Sequence, residues 1–489
     1  MQHNKDGGPL LSKLFGLFSL AISLSVTQLN AGSFENFKKM QTESFKKYKD
    51  ERDNAFSKYL KEEWSAYQAQ QGKKLYEEQK PTKLPKKRFV PMEEVGPKVN
   101  IKVAKELPQK FPKVIIIKKE KIKKEKIVQN DVYIDFFGSG YSFNIAQGLK
   151  KSNFFPRNTN GVSNFFNVVA SSNYKELIEE IKQIKNRLKF NDWALYLLVN
   201  KISHTVHKNQ DNANLMTWFI FNKLGYAVKV GLAHKHIVLM YYSKKVIYST
   251  PSYSFKKKKF YVIANYAKNG VGSLYSYPQN YPHSNRPLDL SLKVLPKFED
   301  AMKYKDLSFV EGTKKYSVGF NYNQNLIDFM ATYPQADYET YFNAPLQKNT
   351  YDEIATKLKS YVDGKKMSDA INFVLHFVQK SFAYQVDEAQ FGREKVMFAQ
   401  ETLYYNKSDC EDRAILFCSL VRRLFQIGVV GVKYKDHMST ALYIPLSGDS
   451  VRTASHRFVI ADPTYINANI GQNMPKYRSL RPESFVLVR

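Results

Sequence analysis

The chain has only two cysteines in 489 residues, Cys410 and Cys418. Both fall in one apolar pattern of helical period, where eight positions correspond to about 12 Å along the axis at about 1.5 Å per residue. A disulfide bond cannot reach that far. The scarcity of cysteine therefore excludes a disulfide-stapled fold and leaves Cys410 as a free thiol.

Long apolar runs are also scarce. After the run at 14–26, no stretch reaches eighteen uninterrupted apolar residues, so no further membrane span is predicted. The run follows Lys5 and Lys13 and precedes the small residue Ala31, as in a secretory signal. No cysteine follows it directly, which excludes a lipoprotein signal. We predict a signal peptide at 1–31 and an exported, periplasmic or secreted protein; a retained anchor is the alternative.

Acidic residues are few, with 45 Asp and Glu against 75 Lys and Arg and a net charge of +30. Such a surface favours anionic partners, which outside the cell include membrane head groups and anionic envelope polymers. No nucleic-acid-binding motif accompanies the charge, so nucleic acid is not predicted as a partner. Four histidines with metal-like spacing lack cysteine or acidic co-ligands, so no metal or other cofactor is predicted. They are His204, His207, His234 and His236.

The most informative segment that is present places Cys410 directly before an apolar helical pattern. Ser408 is the predicted N-cap, which would put Cys410 in the first turn, where the helix N-terminus lowers the pKa of a thiol. Three carboxylates in the same turn oppose a thiolate, namely Asp409, Glu411 and Asp412. We therefore expect activation to depend more on a nearby base than on the helix dipole.

A base and an orienting acid follow in the order that a thiol triad needs. His437 opens a strand-like run, and Asp462 ends the next one. A histidine can take the thiol proton and later protonate the leaving group, and a carboxylate can orient its imidazole. The alternative for any helical cysteine is an inert buried side chain, as we expect for Cys418. The polar neighbours of Cys410, together with His437 and Asp462, favour catalysis.

Residues from about 350 to 475 resemble the transglutaminase-like superfamily, which has a papain-like thiol fold. The matching segments are Ser-Asp-Cys-Glu-Asp-Arg-Ala at 408–414, Asp-His-Met-Ser-Thr-Ala at 436–441 and Ala-Asp-Pro-Thr-Tyr at 461–465. The resemblance implies that Cys410 is the nucleophile, His437 the base and Asp462 its orienter. The family often has glycine before the cysteine segment, where this chain has Asn406-Lys-Ser-Asp. Candidates for the family's oxyanion-stabilising residue are Tyr404 and Tyr405.

The first half of the chain repeats the pattern of the second. The segments that begin at Asn173, Asn191 and Gln210 match those at 350, 368 and 410, and His236 matches His437. Thr250 before Pro251 is aligned with Asp462 before its proline. Ordered self-similarity of this kind indicates an internal duplication, with an insertion that includes 386–406 in the second copy. In the first copy Gln210 and Thr250 stand at the cysteine and aspartate positions, so that copy is predicted to be catalytically degenerate; chance similarity of two α+β segments is the alternative.

An aromatic residue recurs every eleven positions through Phe34, Phe45, Phe56 and Tyr67, which predicts an amphipathic helix within 32–78. Residues 79–130 read as a basic, proline-containing linker. The predicted fold is α+β, with two transglutaminase-like (papain-like) lobes at 131–292 and 293–489. A β-rich piece leads each lobe, at 132–145 and at 316–342.

The predicted function is a cysteine-dependent amide-bond hydrolase or acyl-transferase acting on a protein or peptide substrate. The alternative is a non-catalytic envelope binding or scaffold protein that keeps the triad only as structure.

Overall fold

A computed structural model describes residues 31–70, 72–73, 132–263 and 271–489. The predicted linker at 79–130 and nearly all of the predicted signal peptide lie outside these residues. The chain divides into two compact units, 1–52 and 53–489. No helix among the described residues is long and apolar enough to cross a membrane. The following description concerns the second unit, apart from the bounds of the first helix.

Among the described residues of the first half, a long helix comes first, and five shorter helices and eight strands follow. The helices are α1 (Ala31–Glu62), α2 (Gln147–Lys151), α3 (Thr159–Ala170), α4 (Lys175–Arg187), α5 (Asp192–Val206) and α6 (Gln210–Lys223). The strands are β1 (Ser65–Tyr67), β2 (Val132–Phe136), β3 (Ser139–Phe143), β4 (Val228–Ala233), β5 (His236–Tyr242), β6 (Ser252–Phe255), β7 (Lys258–Tyr261) and β8 (Leu274–Ser276).

The second half repeats this alternation with additional elements before its last long helix. The helices are α7 (Gln324–Ala331), α8 (Tyr338–Phe342), α9 (Lys348–Val362), α10 (Met367–Lys380), α11 (Asp387–Phe391), α12 (Ala399–Tyr404) and α13 (Cys410–Phe425). The strands are β9 (Met302–Glu311), β10 (Lys314–Asn323), β11 (Ala383–Tyr384), β12 (Lys407–Ser408), β13 (Val429–Tyr434), β14 (His437–Leu442), β15 (Ser450–Arg452), β16 (Arg457–Ile460) and β17 (Ser484–Leu487).

Asparagine side chains start several of these helices. Asn158, Asn191, Asn209 and Asn323 are the N-cap residues of α3, α5, α6 and α7, and each side-chain oxygen accepts hydrogen bonds from backbone N–H groups of the first turn. These donors have no partner within the helix, so a short polar side chain at the N-cap stabilises the helix start. The caps fix where α6 begins, at Gln210.

In each half, one antiparallel sheet follows the last long helix. The first has the order β1-β8-β4-β5-β7-β6, and the second has the order β15-β16-β14-β13-β17. Apart from β1, the strands of the two sheets correspond one to one in chain order and in neighbours. The central hairpins also share a register, because Ala233 pairs with His236 and Tyr434 pairs with His437. Each half therefore has a long helix followed by a sheet of the same topology.

One large apolar core joins the helices and sheets of residues 53–489. It includes Trp218 and Phe219 of α6, as well as Leu416 and Phe417 of α13, all fully buried. Phe56 and Leu60 from the end of α1 belong to the same core.

A buried ion pair anchors the part of α1 that belongs to this unit, residues 53–62, beside the core. Lys223 Nζ lies 2.8 Å from Asp53 Oδ1, and the Tyr281 hydroxyl donates to the same carboxylate at 2.6 Å. Burial makes the pairing obligatory, because an isolated charge there would lose its hydration without compensation.

Two predicted elements differ in extent from the observed ones. The helix α1 ends at Glu62, and Tyr67, predicted on its aromatic stripe, lies instead in β1 and pairs with Leu274 of β8. The predicted β-rich piece at 316–342 is a strand only to Asn323, since Asn323 caps α7 and the rest contains α7 and α8. The predicted insertion at 386–406 contains α11 and α12. Local pattern identified the hairpins but not where they end.

Candidate active site

Cys410 is the first residue of α13. The N-cap is Asp409, so the prediction of Ser408 as N-cap was wrong by one residue. The Ser408 hydroxyl instead accepts a hydrogen bond from Arg413 Nε at 3.1 Å, and its backbone lies in β12. This position places Cys410 beside the unpaired N–H groups of the first helical turn, whose partial positive charge favours an anionic sulfur.

The structure brings Cys410, His437 and Asp462 together. His437 is the first residue of β14, and its Nε2 lies 2.7 Å from Asp462 Oδ2. The Cys410 side chain hydrogen-bonds to the same imidazole. Since Nε2 faces the carboxylate, Nδ1 is the ring nitrogen available to the thiol. The three residues selected from the sequence therefore form one connected array.

The charge state of His437 depends on its two partners. Burial by itself would lower its pKa, but the Asp462 carboxylate and the hydrogen bonds to Asp462 and Cys410 outweigh burial and raise the pKa to about 10. The imidazolium form is therefore favoured at neutral pH. A proton on His437 stabilises a thiolate at Cys410, as in a thiolate–imidazolium pair.

A buried loop holds Asp462 in place. Its Oδ1 accepts hydrogen bonds from the backbone N–H groups of Thr464 at 2.9 Å and Tyr465 at 3.2 Å. Gln379 Nε2 donates to the backbone oxygens of Asp462 at 2.9 Å and Ala468 at 3.0 Å. Gln379 was not selected from the sequence, although a lone glutamine near the end of an apolar helix was a signal that could have drawn attention to it.

One carboxyl group of the first turn, that of Glu411, opposes a thiolate less than the sequence suggested. The Cys410 thiol lies 3.5 Å from Glu411 Oε2. Burial raises the pKa of Glu411 well above its ordinary value, and the neighbouring Asp412 raises it further. Burial also raises the pKa of Asp412 to about 6, although a hydrogen bond from the Met397 N–H partly offsets this. A neutral Glu411 carboxyl, which accepts a hydrogen bond from the Cys410 thiol, opposes a thiolate less than a charged one would.

Arg413 places a further positive charge near the thiol. Its guanidinium is buried and donates to the backbone oxygens of Gln379 at 3.2 Å and Phe382 at 2.7 Å. Burial lowers its pKa to about 10, while nearby Asp409, Asp412 and Cys410 act in the opposite direction. Arg413 remains charged at neutral pH, so it both orders the chain before α13 and favours an anion at Cys410.

The array is closed to solvent. Cys410 and Asp462 are 0% exposed and His437 is 3% exposed. The Tyr477 ring stacks on the His437 imidazole with centroids 4.8 Å apart and an angle of 19° between planes. The Tyr477 hydroxyl donates to Asp436 Oδ1 at 3.0 Å, which anchors it to the turn before β14. A macromolecular substrate can reach the thiol only if this cover moves.

The predicted oxyanion candidates make other contacts. The backbone oxygens of Tyr404 and Tyr405 accept hydrogen bonds from Lys305. Their rings pack against Tyr322 and Phe391, respectively. An oxyanion role for either stays a prediction. Two other tyrosines lie closer to the array: burial raises the pKa of both Tyr338 and Tyr477, and the charge of Cys410 raises it further. Neither was selected from the sequence.

One set of side chains has the geometry of a cation site. Asp387, Asp409 and Glu411 are buried, and one oxygen of each lies within 4.8 Å of the others. In the described part of the chain, no other group of three His, Cys, Asp or Glu is this close. Carboxylate oxygens suit hard cations, but a neutral Glu411 disfavours one here.

The first sheet has a polar cluster at the corresponding place. Gln210 begins α6 and His236 begins β5, as Cys410 and His437 begin α13 and β14. Gln210 Nε2 donates to Asn214 Oδ1 at 3.0 Å, and His236 Nδ1 lies 3.3 Å from Asp211 Oδ2. An amide is not a nucleophile, so this cluster cannot perform thiol chemistry.

The predicted match of Thr250 with Asp462 was wrong. Thr250 precedes β6 and its hydroxyl donates to the Tyr248 carbonyl at 2.9 Å, whereas Asp462 follows β16, the counterpart of β7. Tyr241 pairs with Tyr261 as Leu442 pairs with Val459. By that register the counterpart of Asp462 is residue 264, an alanine outside the described residues. The local likeness of Thr-Pro to Asp-Pro misled the alignment because strand pairing cannot be read from it.

No protein family, no curated protein and no solved structure gives a significant match to this chain.

Proposed function

We propose that this protein is an exported cysteine-dependent amide-bond hydrolase or acyl-transferase of transglutaminase-like type, acting on protein or peptide substrates. The observation that carries the proposal is the hydrogen-bonded array of Cys410, His437 and Asp462 at the start of α13. Thiol, imidazole and carboxylate in this order are the groups that acyl transfer through a cysteine requires.

The geometry supports the following reaction. The Cys410 thiolate attacks the substrate carbonyl carbon, and the imidazolium of His437 gives its proton to the departing amine. This leaves an acyl group on sulfur and a neutral His437. His437 then removes a proton from an incoming water or amine as that group attacks the thioester, and the thiolate leaves. Water gives hydrolysis and an amine gives cross-linking. Asp462 keeps Nδ1 directed at the sulfur throughout.

The matching strand orders support a duplicated architecture in which only the second copy is catalytic. The first copy keeps the helix, the central hairpin and the sheet order but has Gln210 in place of the thiol. Its polar cluster retains surface-accessible groups such as His236, whose side chain is 61% exposed. We infer that the first copy contributes packing or substrate binding.

A non-catalytic scaffold is the second candidate function. The specific observation in its favour is the complete burial of the Cys410 side chain. In a scaffold the array would serve only as a buried polar network. The two candidates differ in what they require of the cover over His437, which must open in an enzyme and can stay shut in a scaffold.

Thiol labelling distinguishes these functions. The protein is treated with iodoacetamide at neutral pH, and labelled peptides are identified by mass spectrometry. If the protein is an enzyme, Cys410 should be modified rapidly and Cys418 slowly. Burial raises the pKa of Cys418, and no base among the described residues acts on it. His437→Ala should slow the labelling. Inert Cys410 in the folded wild type would favour the scaffold.

The reaction type is then tested with envelope proteins as substrates. New N-termini indicate hydrolysis, whereas incorporation of a biotinylated alkyl amine indicates transfer. Cys410→Ser, which is nearly isosteric, is the matched inactive control. If the wild type and Cys410→Ser generate the same products, the proposed function is wrong.

A further inference from the structure

Four consecutive lysines form the tip of the β6–β7 hairpin. Phe255 pairs with Lys258, so Lys256 and Lys257 are the two residues of the turn. Their φ angles are +45° and +65°. Positive φ at both central residues is the pattern of a type I′ turn, for which Asn-Gly is the preferred sequence. Lysine in this backbone conformation costs free energy, since its Cβ crowds the carbonyl oxygen. The chain thus has two lysines where the turn favours asparagine, aspartate or glycine.

The charges at this tip are not neutralised by the protein. All four lysines, Lys256, Lys257, Lys258 and Lys259, are exposed, and Lys244 on the adjoining segment is exposed as well. The Lys259 carbonyl accepts a hydrogen bond from Ser243 N at 3.3 Å, so Lys244 follows directly beside the hairpin. None of the five forms an ion pair with an acidic residue in the described ranges. Five exposed lysines therefore lie on the hairpin and the adjoining segment without an acidic partner in the described ranges.

A sixth lysine lies beneath the same hairpin. Lys229 is fully buried, and its Nζ lies 4.9 Å from the ring centroid of Phe255 and 5.3 Å from that of Phe260. Its pKa falls to about 7, chiefly through burial and further through the positive charges of Lys256 and Lys258. The field of the tip thus reaches into the sheet, which is consistent with a patch that has no internal counter-charge.

The shape of the tip restricts the partner. The flanking Phe255 and Phe260 rings are buried in the sheet, and the half-buried Tyr242 ring lies under Lys258 Nζ at 5.1 Å, so the tip offers no freely exposed ring for stacking nucleic-acid bases. A two-residue turn is convex and cannot enclose a single small anion. A plane of anionic head groups can contact several of these ammonium groups at once. We propose that the β6–β7 hairpin, with Lys244 and 256–259, docks the protein on an anionic phospholipid surface.

The test uses the full chain and vesicles of two compositions, phosphatidylcholine alone or with phosphatidylglycerol at roughly the one-third level of an anionic membrane. Neutral vesicles report any binding through the apolar run at 14–26, so the difference between compositions isolates the charge contribution. The test variant is Lys256→Asn with Lys257→Gly, which installs the preferred turn and should keep or raise the melting temperature. Co-sedimentation measures the affinity.

Each lysine near an anionic surface contributes about 1 kcal/mol, so the loss of two should weaken binding to anionic vesicles about 30-fold, or about 2 kcal/mol. The charge-matched control is Lys314→Gln with Lys315→Gln, two exposed lysines on the β9–β10 hairpin. It should weaken binding by less than about threefold, because the net charge changes equally but the docking tip is intact. A second test variant, Lys258→Gln with Lys259→Gln, keeps the native turn and should resemble the first.

Three results would overturn the proposal. Equal losses in test and control variants would show that only the overall charge acts. Unchanged binding in both test variants would show that another surface docks. Binding to a soluble polyanion such as heparin, without a preference for anionic over neutral vesicles, would identify an acidic polymer in place of lipid.

Discussion

Asp462→Asn is the substitution that examines the site most directly. The amide keeps the size of the side chain and can still accept a hydrogen bond from His437 Nε2, but it removes the negative charge. The ordinary pKa of histidine is about 6.5 and that of His437 is about 10, so the folded environment favours the imidazolium by roughly 5 kcal/mol. Without the carboxylate, burial is the largest remaining influence, and it lowers the pKa of His437. The variant should therefore hold His437 neutral at pH 7.

The effect of the substitution on the alkylation rate of Cys410 follows from the thiolate being the reactive form of cysteine. An ordinary thiol, with a pKa of about 8.5, is roughly 3% ionised at pH 7, whereas a thiol paired with an imidazolium is almost fully ionised. Alkylation of Cys410 by iodoacetamide at pH 7 should therefore be at least about tenfold slower in Asp462→Asn. The wild-type rate should change as His437 loses its proton near pH 10, and this step should be absent in the variant.

The free energy of unfolding should also depend on the charge of His437. A pKa raised by folding contributes stability that is fully present below about pH 6.5 and is lost as the pH rises toward 10. The free energy of unfolding of the wild type should thus fall relative to that of Asp462→Asn as the pH rises toward 10.

The matched control is Asp436→Asn, one residue before His437, whose carboxylate binds Lys476 and Tyr477. It should leave the pH dependence of alkylation unchanged, even if altered packing of Tyr477 changes the rate at every pH. If Asp462→Asn alkylates at the wild-type rate with the wild-type pH dependence, the carboxylate does not set the charge of His437. The assigned triad would then be refuted.

Three further substitutions test the surroundings of the site and the core. Tyr477→Ala removes the ring stacked on the imidazole, so the Cys410 thiol should alkylate at least about tenfold faster. Its free energy of unfolding should be lower by about 3 kcal/mol. Tyr477→Phe keeps the ring, so its alkylation rate and stability should lie between those of the wild type and Tyr477→Ala. Gln379→Leu removes hydrogen bonds to the buried backbone oxygens of Asp462 and Ala468 and from the Asn467 N–H, and should cost about 2–4 kcal/mol in denaturant unfolding. An unchanged free energy of unfolding would contradict this. Lys223→Met leaves Asp53 buried and unpaired and should cost about 3–5 kcal/mol, and adding Asp53→Asn should recover most of the loss; a double variant as unstable as the single one would contradict this.

The order of the candidate site could be predicted because it depends on local signals. An apolar pattern of helical period that starts at 410 fixes where α13 begins, and the alternation after 437 fixes β14. The placement of a histidine at the start of one strand and of an aspartate at the end of a later strand could likewise be predicted from the local sequence. The matching starts of α6 and α13, and of β5 and β14, were visible for the same reason.

Strand pairing was not visible in this way. Thr250 and Asp462 share a following proline, yet only the sheet order shows that one precedes a hairpin and the other follows it. Tyr67 continues the eleven-residue spacing of aromatics, but pairing with Leu274 of β8 decides that it lies in a strand. A periodic pattern describes one segment, whereas pairing is a property of two segments far apart in sequence.

The sequence by itself determined the cysteine, histidine and aspartate of the candidate site and their chain order, because residue type and helix or strand periodicity are local. Only the tertiary structure decided their charge states and access. The pKa of His437 depends on a carboxylate 25 positions away, and the pKa of Glu411 depends on complete burial. The cover over the imidazole comes from Tyr477, on a segment that carries no sequence signal for the site. These properties arise from distances between remote residues and from the exclusion of water, and both exist only once the chain has folded.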